Sequence, residues 1–223
     1  MSVSPEDLQE KIRARLPAGL ALALEWAPEH VNFDYPEEAA QVANAIVSRQ
    51  AEYLGGRVCA RAAMQMLGMA PCAILNDAWR APIWPAGLVA SISHSRGLCA
   101  AIAGRTENYS ALGLDLEQVG RLSEAALRRV MCPGEMERLG SEPNTGSLLF
   151  SAKEAFYKAQ FGLYAASPAF HDLELSMDWA QGKLEVVGTR NLPPALAEAA
   201  SRMEFRFVRA DPWVVTVCWL PRG

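Results

Sequence analysis

Histidine is scarce, and the chain lacks the cysteine spacing of structural zinc sites and disulfide frameworks. It has three histidines and five cysteines among 223 residues, and no CxxC pair occurs. No histidine lies at metal-pair spacing from a cysteine or from another histidine, which argues against a zinc site. An odd number of widely spaced cysteines favours free thiols in a reducing compartment.

Long apolar runs and an excess of positive charge are also missing. No apolar stretch reaches membrane-spanning length, and the N-terminal "MSVSPEDLQEKIRARL" has no apolar core typical of a secretory signal. The net charge of −4 provides no general basic field for nucleic acid. Neither a GxGxxG nor a Walker P-loop motif occurs. We therefore expect a cytoplasmic protein that binds neither a membrane nor nucleic acid, and we also expect a monomer.

The arrangement of apolar segments predicts an α+β fold with antiparallel strands. Helical periodicity covers about residues 36–67 and 146–161. Segments typical of strands lie at residues 20–26, 88–93, 98–104, 111–117, 183–187, 203–208 and 213–219. Strands and helices are mixed without regular βαβ alternation, which favours the α+β class over a parallel α/β sheet.

The strand "LGLDLE" carries two carboxylates on one face. Its three leucines point one way, whereas Asp115 and Glu117 point the other. Like charges so placed repel unless a cation lies between them, and oxygen ligands suit a hard ion such as Mg²⁺. The alternative interpretation is a solvated face of an antiparallel sheet.

The stretch "FSAKEAFYKA" raises a similar question on a helix. Glu154 and Lys158 are four residues apart, and therefore lie one above the other. They form either a solvated ion pair or part of a site that needs a carboxylate and an ammonium together. Beside them runs an apolar stripe of Ala152, Ala155, Phe156 and Ala159.

Two segments offer groups suited to phosphate. "SRQAEYLGGRVCARAAM" contains Arg49, Arg57 and Arg61 without a matching run of acids, and "WRAPIWP" adds Arg80. The alternative is a set of basic residues on a solvated helix. The glycine pair beside Arg57 favours close approach of another group, because glycine inside a helix costs stability.

"SISHS" places Ser93 and His94 at the end of an apolar strand, entering a predicted hairpin turn "HSRG". Both can hydrogen-bond an anion. The alternative is a capped turn with a partly buried histidine. A Ser–His hydrolase is disfavoured because no G-x-S-x-G motif is present.

Four stretches, in chain order, resemble the 4′-phosphopantetheinyl transferases, in the group of enterobactin synthase component D and the surfactin-type enzymes: "RQAEYLGGRVCARAAM", "APIWPAGLVASISHS", "LGLDLE" and "FSAKEAFYKA". The resemblance covers roughly residues 45–160. It implies two similar α+β halves related by a pseudo-twofold axis, residues 1–110 and 111–223, with coenzyme A in the cleft between them. It also implies the reaction, in which a serine of an apo acyl or peptidyl carrier protein receives 4′-phosphopantetheine and adenosine 3′,5′-bisphosphate leaves.

The resemblance further implies the roles of the charged residues. Asp115, Glu117 and Glu154 would hold Mg²⁺, and Glu154 and Lys158 would be catalytic. Coenzyme A would be bound by Arg49, Arg57, Arg80, Ser93, His94 and Lys158. The served pathway stays open among fatty-acid, polyketide and non-ribosomal-peptide carriers, with a preference for siderophore or other secondary-metabolite carriers. Two alternatives are a Mg²⁺-dependent nucleotide pyrophosphate hydrolase and a catalytically silent module that binds carrier proteins.

Overall fold

The computed structural model describes residues 3–120, 122–140 and 142–223. The helices are α1 Pro5–Arg13, α2 Pro36–Val42, α3 Val47–Met66, α4 Glu124–Val130, α5 Pro133–Leu139, α6 Pro143–Tyr164 and α7 Pro194–Arg202. The strands are β1 Leu20–Trp26, β2 Leu88–Ser95, β3 Leu98–Arg105, β4 Tyr109–Gln118, β5 Leu173–Asp178, β6 Lys183–Thr189, β7 Glu204–Ala210 and β8 Trp213–Pro221. In the part of the chain described, no helix combines the length and the apolarity needed to cross a bilayer.

The strands form two antiparallel sheets, which confirms the predicted α+β class. The first sheet has the order β1-β3-β2 and packs against α3, and the second has the order β4-β8-β7-β6-β5 and packs against α6. Each half therefore combines one antiparallel sheet with one long helix, although the second sheet has two more strands. The proposed boundary between residues 110 and 111 falls just inside β4 and stays a prediction.

The hairpin between β2 and β3 is tighter than the sequence suggested. Its turn consists of Arg96 and Gly97, whose φ angles of 53° and 81° match a two-residue turn with both central residues in the left-handed region. His94 therefore belongs to β2, where it pairs with Cys99 of β3, and not to the turn as predicted. Because side chains alternate along a strand, Ser93 and His94 point to opposite faces.

The glycine pair of α3 allows the helix to lie close to the first sheet. The helix runs through Gly55 and Gly56 without a break. A Cβ at Gly55 would lie 2.7 Å from the Cys99 sulfur, and one at Gly56 would lie 2.7 Å from a methyl group of Ile92. The group that approaches these glycines is thus the sheet. The predicted helix over 36–67 is two helices, α2 and α3, separated at residues 43–46.

In the second half, α6 packs against β4 and approaches it very closely at Gly113. A Cβ at Gly113 would lie 1.9 Å from the carbonyl oxygen of Ala155. The predicted apolar stripe of α6 is confirmed, since Ala152, Ala155, Phe156 and Ala159 are all buried in the core of this half. This contact fixes the distance between the carboxylates of β4 and the charged residues of α6.

We expect Gly113→Ala to lower the free energy of unfolding by about 1–3 kcal/mol, because the new methyl group overlaps a backbone atom of α6. Chemical denaturation of the purified variant measures this effect. Gly162→Ala is the control, since a Cβ there meets no atom within 4 Å and should stabilise the helix by about 0.5–1 kcal/mol. Equal stability of both variants would contradict the close contact at Gly113.

The two sheets meet where β2 lies beside β4, and serine side chains join them. The Ser91 hydroxyl accepts a hydrogen bond from the Leu114 N–H at 3.0 Å, and the Ser93 hydroxyl accepts one from the Leu116 N–H at 3.2 Å. Ser91 and Ser93 are each 5% exposed. Side chains of β2 thus satisfy edge N–H groups of β4 that would otherwise be buried without partners.

Candidate functional site

Three elements meet around the carboxylate of Asp115. Lys158 of α6 donates to Asp115 Oδ1 at 2.8 Å, and also to Ser93 Oγ and the Leu114 carbonyl oxygen, each at 3.0 Å. The Ser93 hydroxyl donates to the same Asp115 oxygen at 3.0 Å. The cluster of Ser93, Asp115 and Lys158, called here the junction cluster, therefore ties β2, β4 and α6 together.

Asp115 is 7% exposed, so the interpretation of its strand face as solvated is wrong for this residue. Its second oxygen, Oδ2, is buried and has no hydrogen-bond partner among the described residues. A buried carboxylate oxygen without a partner costs free energy. Such an atom indicates a position suited to a cation or another donor.

Glu154 lies one helical turn before Lys158 and is influenced by the same charges. Burial raises the pKa of its carboxyl, the nearby charges of Asp115 and Glu117 raise it further, and the Lys158 ammonium opposes them. Glu117 Oε1 accepts from the N–H of Gln118 at 2.9 Å. Lys158 contacts Asp115, and not Glu154 as the helical ion pair would require.

The carboxylates of Asp115 and Glu117 are therefore near enough to Glu154 to affect its pKa. The three side chains of the predicted metal site nevertheless do not converge on one point. Across residues 3–120, 122–140 and 142–223, no group of three or more His, Cys, Asp or Glu side chains is arranged to hold a metal ion. The assignment of Asp115, Glu117 and Glu154 to Mg²⁺ stays a prediction.

His94 faces α3, away from the junction cluster. Its Nε2 contacts the Arg49 guanidinium, and its Nδ1 lies 3.2 Å from a Glu52 carboxylate oxygen. Burial lowers the pKa of His94, although the Glu52 charge opposes this shift. The neutral ring would accept from Arg49 and donate to Glu52. Glu52 was missed in the sequence, where its position three residues after Arg49 was the available signal.

Arg57 is almost fully buried and its donors are engaged by protein groups. Its Nε donates to the Ile74 carbonyl oxygen at 3.2 Å and one terminal nitrogen donates to Asn76 Oδ1 at 2.6 Å. The guanidinium also lies 3.3 Å from the centre of the Tyr53 ring. Its predicted contact with coenzyme A stays a prediction, and the structure gives it these protein partners.

Arg61 has the acid that sequence reasoning did not find. Its terminal nitrogen lies 2.7 Å from Glu38 Oε1, which also accepts from the Ile74 N–H at 2.8 Å. Glu38 is completely buried. Arg61 is thus half of a buried ion pair between α2 and α3.

Arg80 lies in an exposed turn with a φ angle of 65°. Asp77 Oδ1 builds this turn by accepting from the N–H groups of Trp79 and Ala81 at 2.8 and 2.9 Å. A bulky residue in the left-handed region is uncommon and is often found where function requires the conformation.

A cavity of about 510 Å³ lies between the two halves, lined by α3, the segment 76–92, β2 and α6. Five of the nine predicted site residues line it, namely Arg49, Arg57, Arg80, His94 and Lys158. Trp79, which is 78% exposed, also lines it and was not singled out in the sequence. The lining does not include Ser93, Asp115, Glu117 or Glu154.

Glu154 instead lines a second, smaller cavity of about 180 Å³, together with Tyr157 and Phe170. Tyr157 lines both cavities. Helix α6 thus turns Lys158 toward the larger space and Glu154 toward the smaller one. The arrangement can hold an anionic ligand on one side of α6 and offers a carboxylate of raised pKa on the other.

These features define an α+β protein with a basic interdomain cleft beside a buried carboxylate–ammonium cluster. Two family models match the chain, "4'-phosphopantetheinyl transferase N-terminal domain" over residues 37–104 and "4'-phosphopantetheinyl transferase superfamily" over residues 111–218. The chain belongs to the 4′-phosphopantetheinyl transferase superfamily, as the sequence resemblance predicted.

Curated relatives give the same family. The chain is 38% identical over 154 residues to 4'-phosphopantetheinyl transferase Svp of Streptomyces mobaraensis, a match that covers 66% of this chain and 63% of that protein. It is 35% identical over 179 residues to 4'-phosphopantetheinyl transferase Npt of Nocardia iowensis, covering 78% and 80%. It is 33% identical to enterobactin synthase component D of Escherichia coli O157:H7, covering 54% and 59%.

Proposed function

We propose that this protein transfers the 4′-phosphopantetheine group of coenzyme A to a serine of an apo acyl or peptidyl carrier protein, with release of adenosine 3′,5′-bisphosphate. The observation that carries the proposal is the junction cluster beside the cleft, where Lys158 both lines the cavity and contacts Asp115. The names of the relatives support the same reaction class.

Coenzyme A would occupy the larger cavity, between an N-terminal half of residues 1–110 and a C-terminal half of residues 111–223. Arg49, Arg80 and Lys158 place positive charge on its lining, where guanidinium and ammonium groups suit phosphate oxygens. His94 would add a hydrogen-bond donor or acceptor. Arg57 reaches the same lining but shares its donors with Ile74 and Asn76.

The residues of the carboxylate site fit Mg²⁺ by their chemistry. Asp115 Oδ2 is buried without a partner, and the charges of Asp115 and Glu117 are close enough to raise the pKa of Glu154. All three offer the oxygen ligands that Mg²⁺ prefers. Asp115, Glu117 and Glu154 would hold the ion, which when bound would supply positive charge to neutralise the pyrophosphate.

The chain's own side chains account for the remaining chemistry. Lys158 uses its three N–H donors on Asp115, Ser93 and the Leu114 carbonyl oxygen, and would exchange one of these contacts for a phosphate oxygen on which negative charge accumulates, where a positive donor is a major source of rate acceleration. Glu154 would accept the proton of the carrier serine as a general base. The buried apolar core around α6 holds this helix in place, and therefore also the Lys158 and Glu154 side chains.

We expect Glu154→Gln to abolish most of the transfer activity and to raise the melting temperature when no divalent ion is present. A raised carboxyl pKa in the folded state means that stability falls as pH rises from the ordinary value of 4.5 through the raised one. The neutral amide removes this loss. Melting curves of both proteins at pH 4 and pH 8 measure this loss of stability. The assignment would be contradicted if, at pH 8, the melting temperature of the wild type were not lower than that of the variant.

The partners and location follow the sequence-based expectations. We propose a monomer that acts in the cytoplasm, in keeping with the free thiols of all five cysteines. Its carrier would belong to siderophore, other secondary-metabolite or fatty-acid synthesis, and neither nucleic acid nor a membrane would be a partner. The similarity to enterobactin synthase component D supports the siderophore preference.

Release of adenosine 3′,5′-bisphosphate from coenzyme A tests the reaction class. We expect release only when an apo carrier is present, because the serine is the acceptor. Release from coenzyme A alone would indicate a pyrophosphate hydrolase. A protein that binds apo carriers without any release would be a silent binding module.

A further inference from the structure

We propose that Ser93 is a positioning residue of the junction cluster, which holds Asp115 and Lys158 in register across the two halves, and is not a ligand of coenzyme A. The inference rests on the proposed transfer reaction and concerns the same site. It replaces the role that the family resemblance implied for this serine.

Burial by β4 and α6, and not the strand face alone, separates the Ser93 hydroxyl from the cleft, since Ser91 on the same face lines the cavity. His94 contacts Arg49 and Glu52 of α3, whereas Ser93, its neighbour on β2, contacts Asp115 of β4. Adjacent residues of a strand point to opposite faces. Ser93 is 5% exposed and is not among the residues that line the larger cavity.

The hydrogen bonds of Ser93 use the full capacity of a hydroxyl group. A serine hydroxyl offers one donor and two acceptor lone pairs. The acceptor positions receive the Leu116 N–H at 3.2 Å and the Lys158 ammonium at 3.0 Å. Because both partners are donors, the serine proton is directed to Asp115 Oδ1, 3.0 Å away. No hydrogen-bonding position remains for a phosphate oxygen.

The consequence is a fixed orientation of the Asp115 carboxylate. Its Oδ1 accepts from both Ser93 and Lys158, so Oδ2 is the atom left without a partner among the described residues. Ser93 thus determines which carboxylate oxygen is available to a cation. Groups that orient a metal ligand in this way commonly change metal affinity or activity about 10–100-fold when removed.

Ser91 provides a matched control on the same strand. It is equally buried and makes the same kind of bond to β4, from the Leu114 N–H at 3.0 Å. In contrast to Ser93, it has no hydrogen bond to Asp115 or Lys158 among the described residues. It also lines the larger cavity, so its removal can alter coenzyme A binding without disturbing the junction cluster.

The test compares Ser93→Ala, Ser93→Thr and Ser91→Ala in the full-length protein. Mn²⁺, as a probe for the Mg²⁺ site, is titrated into each variant without coenzyme A, and transfer is measured at varied Mg²⁺ and coenzyme A. We expect Ser93→Ala to weaken Mn²⁺ binding about tenfold and to raise the Mg²⁺ concentration for half-maximal transfer similarly. Its KM for coenzyme A should change by less than about twofold. Ser93→Thr should restore metal affinity, and Ser91→Ala should keep it.

Two results would overturn the proposal. A large rise in the KM for coenzyme A with unchanged Mn²⁺ affinity would make Ser93 a coenzyme ligand. Equal effects of Ser93→Ala and Ser91→Ala on Mn²⁺ affinity, or no effect of either, would show that Ser93 contributes no more than a hydrogen bond between the two sheets. If the wild type binds Mn²⁺ but transfers no phosphopantetheine, the proposed transfer reaction would be refuted. The Mn²⁺ titrations would still decide the role of Ser93.

Discussion

Asp115→Asn should reduce kcat/KM for phosphopantetheine transfer by about 10²–10³-fold or more. The substitution keeps the shape of the side chain and the oxygen that accepts from Ser93. It removes the charge that attracts Lys158 at 2.8 Å and that would bind the metal ion. Because Asp115 is almost completely buried, water cannot replace the lost interaction.

The fold should survive this change, so the loss can be assigned to chemistry. We expect a melting temperature close to that of the wild type in the absence of Mg²⁺, because the lost attraction to Lys158 is offset by the loss of the Asp115 charge that disfavours ionised Glu154. The variant should also show a smaller stabilisation than the wild type when Mg²⁺ and coenzyme A are added. Glu185→Gln is the control, since Glu185 is an exposed carboxylate on β6 that pairs with Lys183. Near-native activity of Asp115→Asn, or wild-type activity that survives thorough chelation, would contradict the shared-metal site.

Glu135→Ala should lower the free energy of unfolding by about 3–5 kcal/mol. Glu135 Oε2 accepts from Lys153 Nζ at 2.8 Å and from the Cys132 N–H at 2.7 Å, and Oε1 accepts from the Leu175 N–H at 2.8 Å. The carboxylate is completely buried and the Lys153 side chain is 3% exposed. Removing the carboxylate leaves a buried ammonium and two buried N–H groups with their main partner missing.

Urea denaturation measures this effect, and a surface pair of the same half provides the control. Glu124 Oε1 lies 2.6 Å from a terminal nitrogen of Arg128 on α4, but the two side chains are 77% and 68% exposed. Glu124→Ala should therefore lower the free energy of unfolding by less than about 1 kcal/mol. Replacing both members of the buried pair, as in Glu135→Leu with Lys153→Met, should recover only the part of the loss caused by the unpaired ammonium, because the Cys132 and Leu175 N–H groups still lack their acceptor. Similar losses for Glu135→Ala and Glu124→Ala would show that the buried pair does not anchor α6.

The sequence predicted the strands and helices most accurately where a clear apolar periodicity coincides with a glycine at a close helix–sheet contact. The alternation in "LGLDLE" correctly separated the leucines, which pack into the core with α1 and the first sheet, from Asp115, which lies on the face of β4 that contacts α6. Strand β5 and helix α7 were not predicted, since each is short and lies in a region without marked motifs.

Most errors in the predicted site came from contacts between residues that are distant in the sequence. Arg61 was read as a free cation because Glu38 precedes it by 23 residues and lies on another helix. The separation of Ser93 from His94 was missed because the hairpin turn was assigned two residues too early. The positive φ angles of Arg96 and Gly97, and the pairing of Ser95 with Leu98, show that β2 continues through Ser95.

The intact mass of an apo carrier protein, measured after incubation with coenzyme A, Mg²⁺ and this protein, tests the central claim most directly. The account predicts that the carrier gains the mass of one phosphopantetheine group at its acceptor serine. The gain should disappear when that serine is replaced by alanine, and should form about 10²–10³-fold more slowly when Asp115→Asn is used. No gain in mass on any of a broad panel of acyl and peptidyl carriers, with folded protein and Mg²⁺ present, would contradict it.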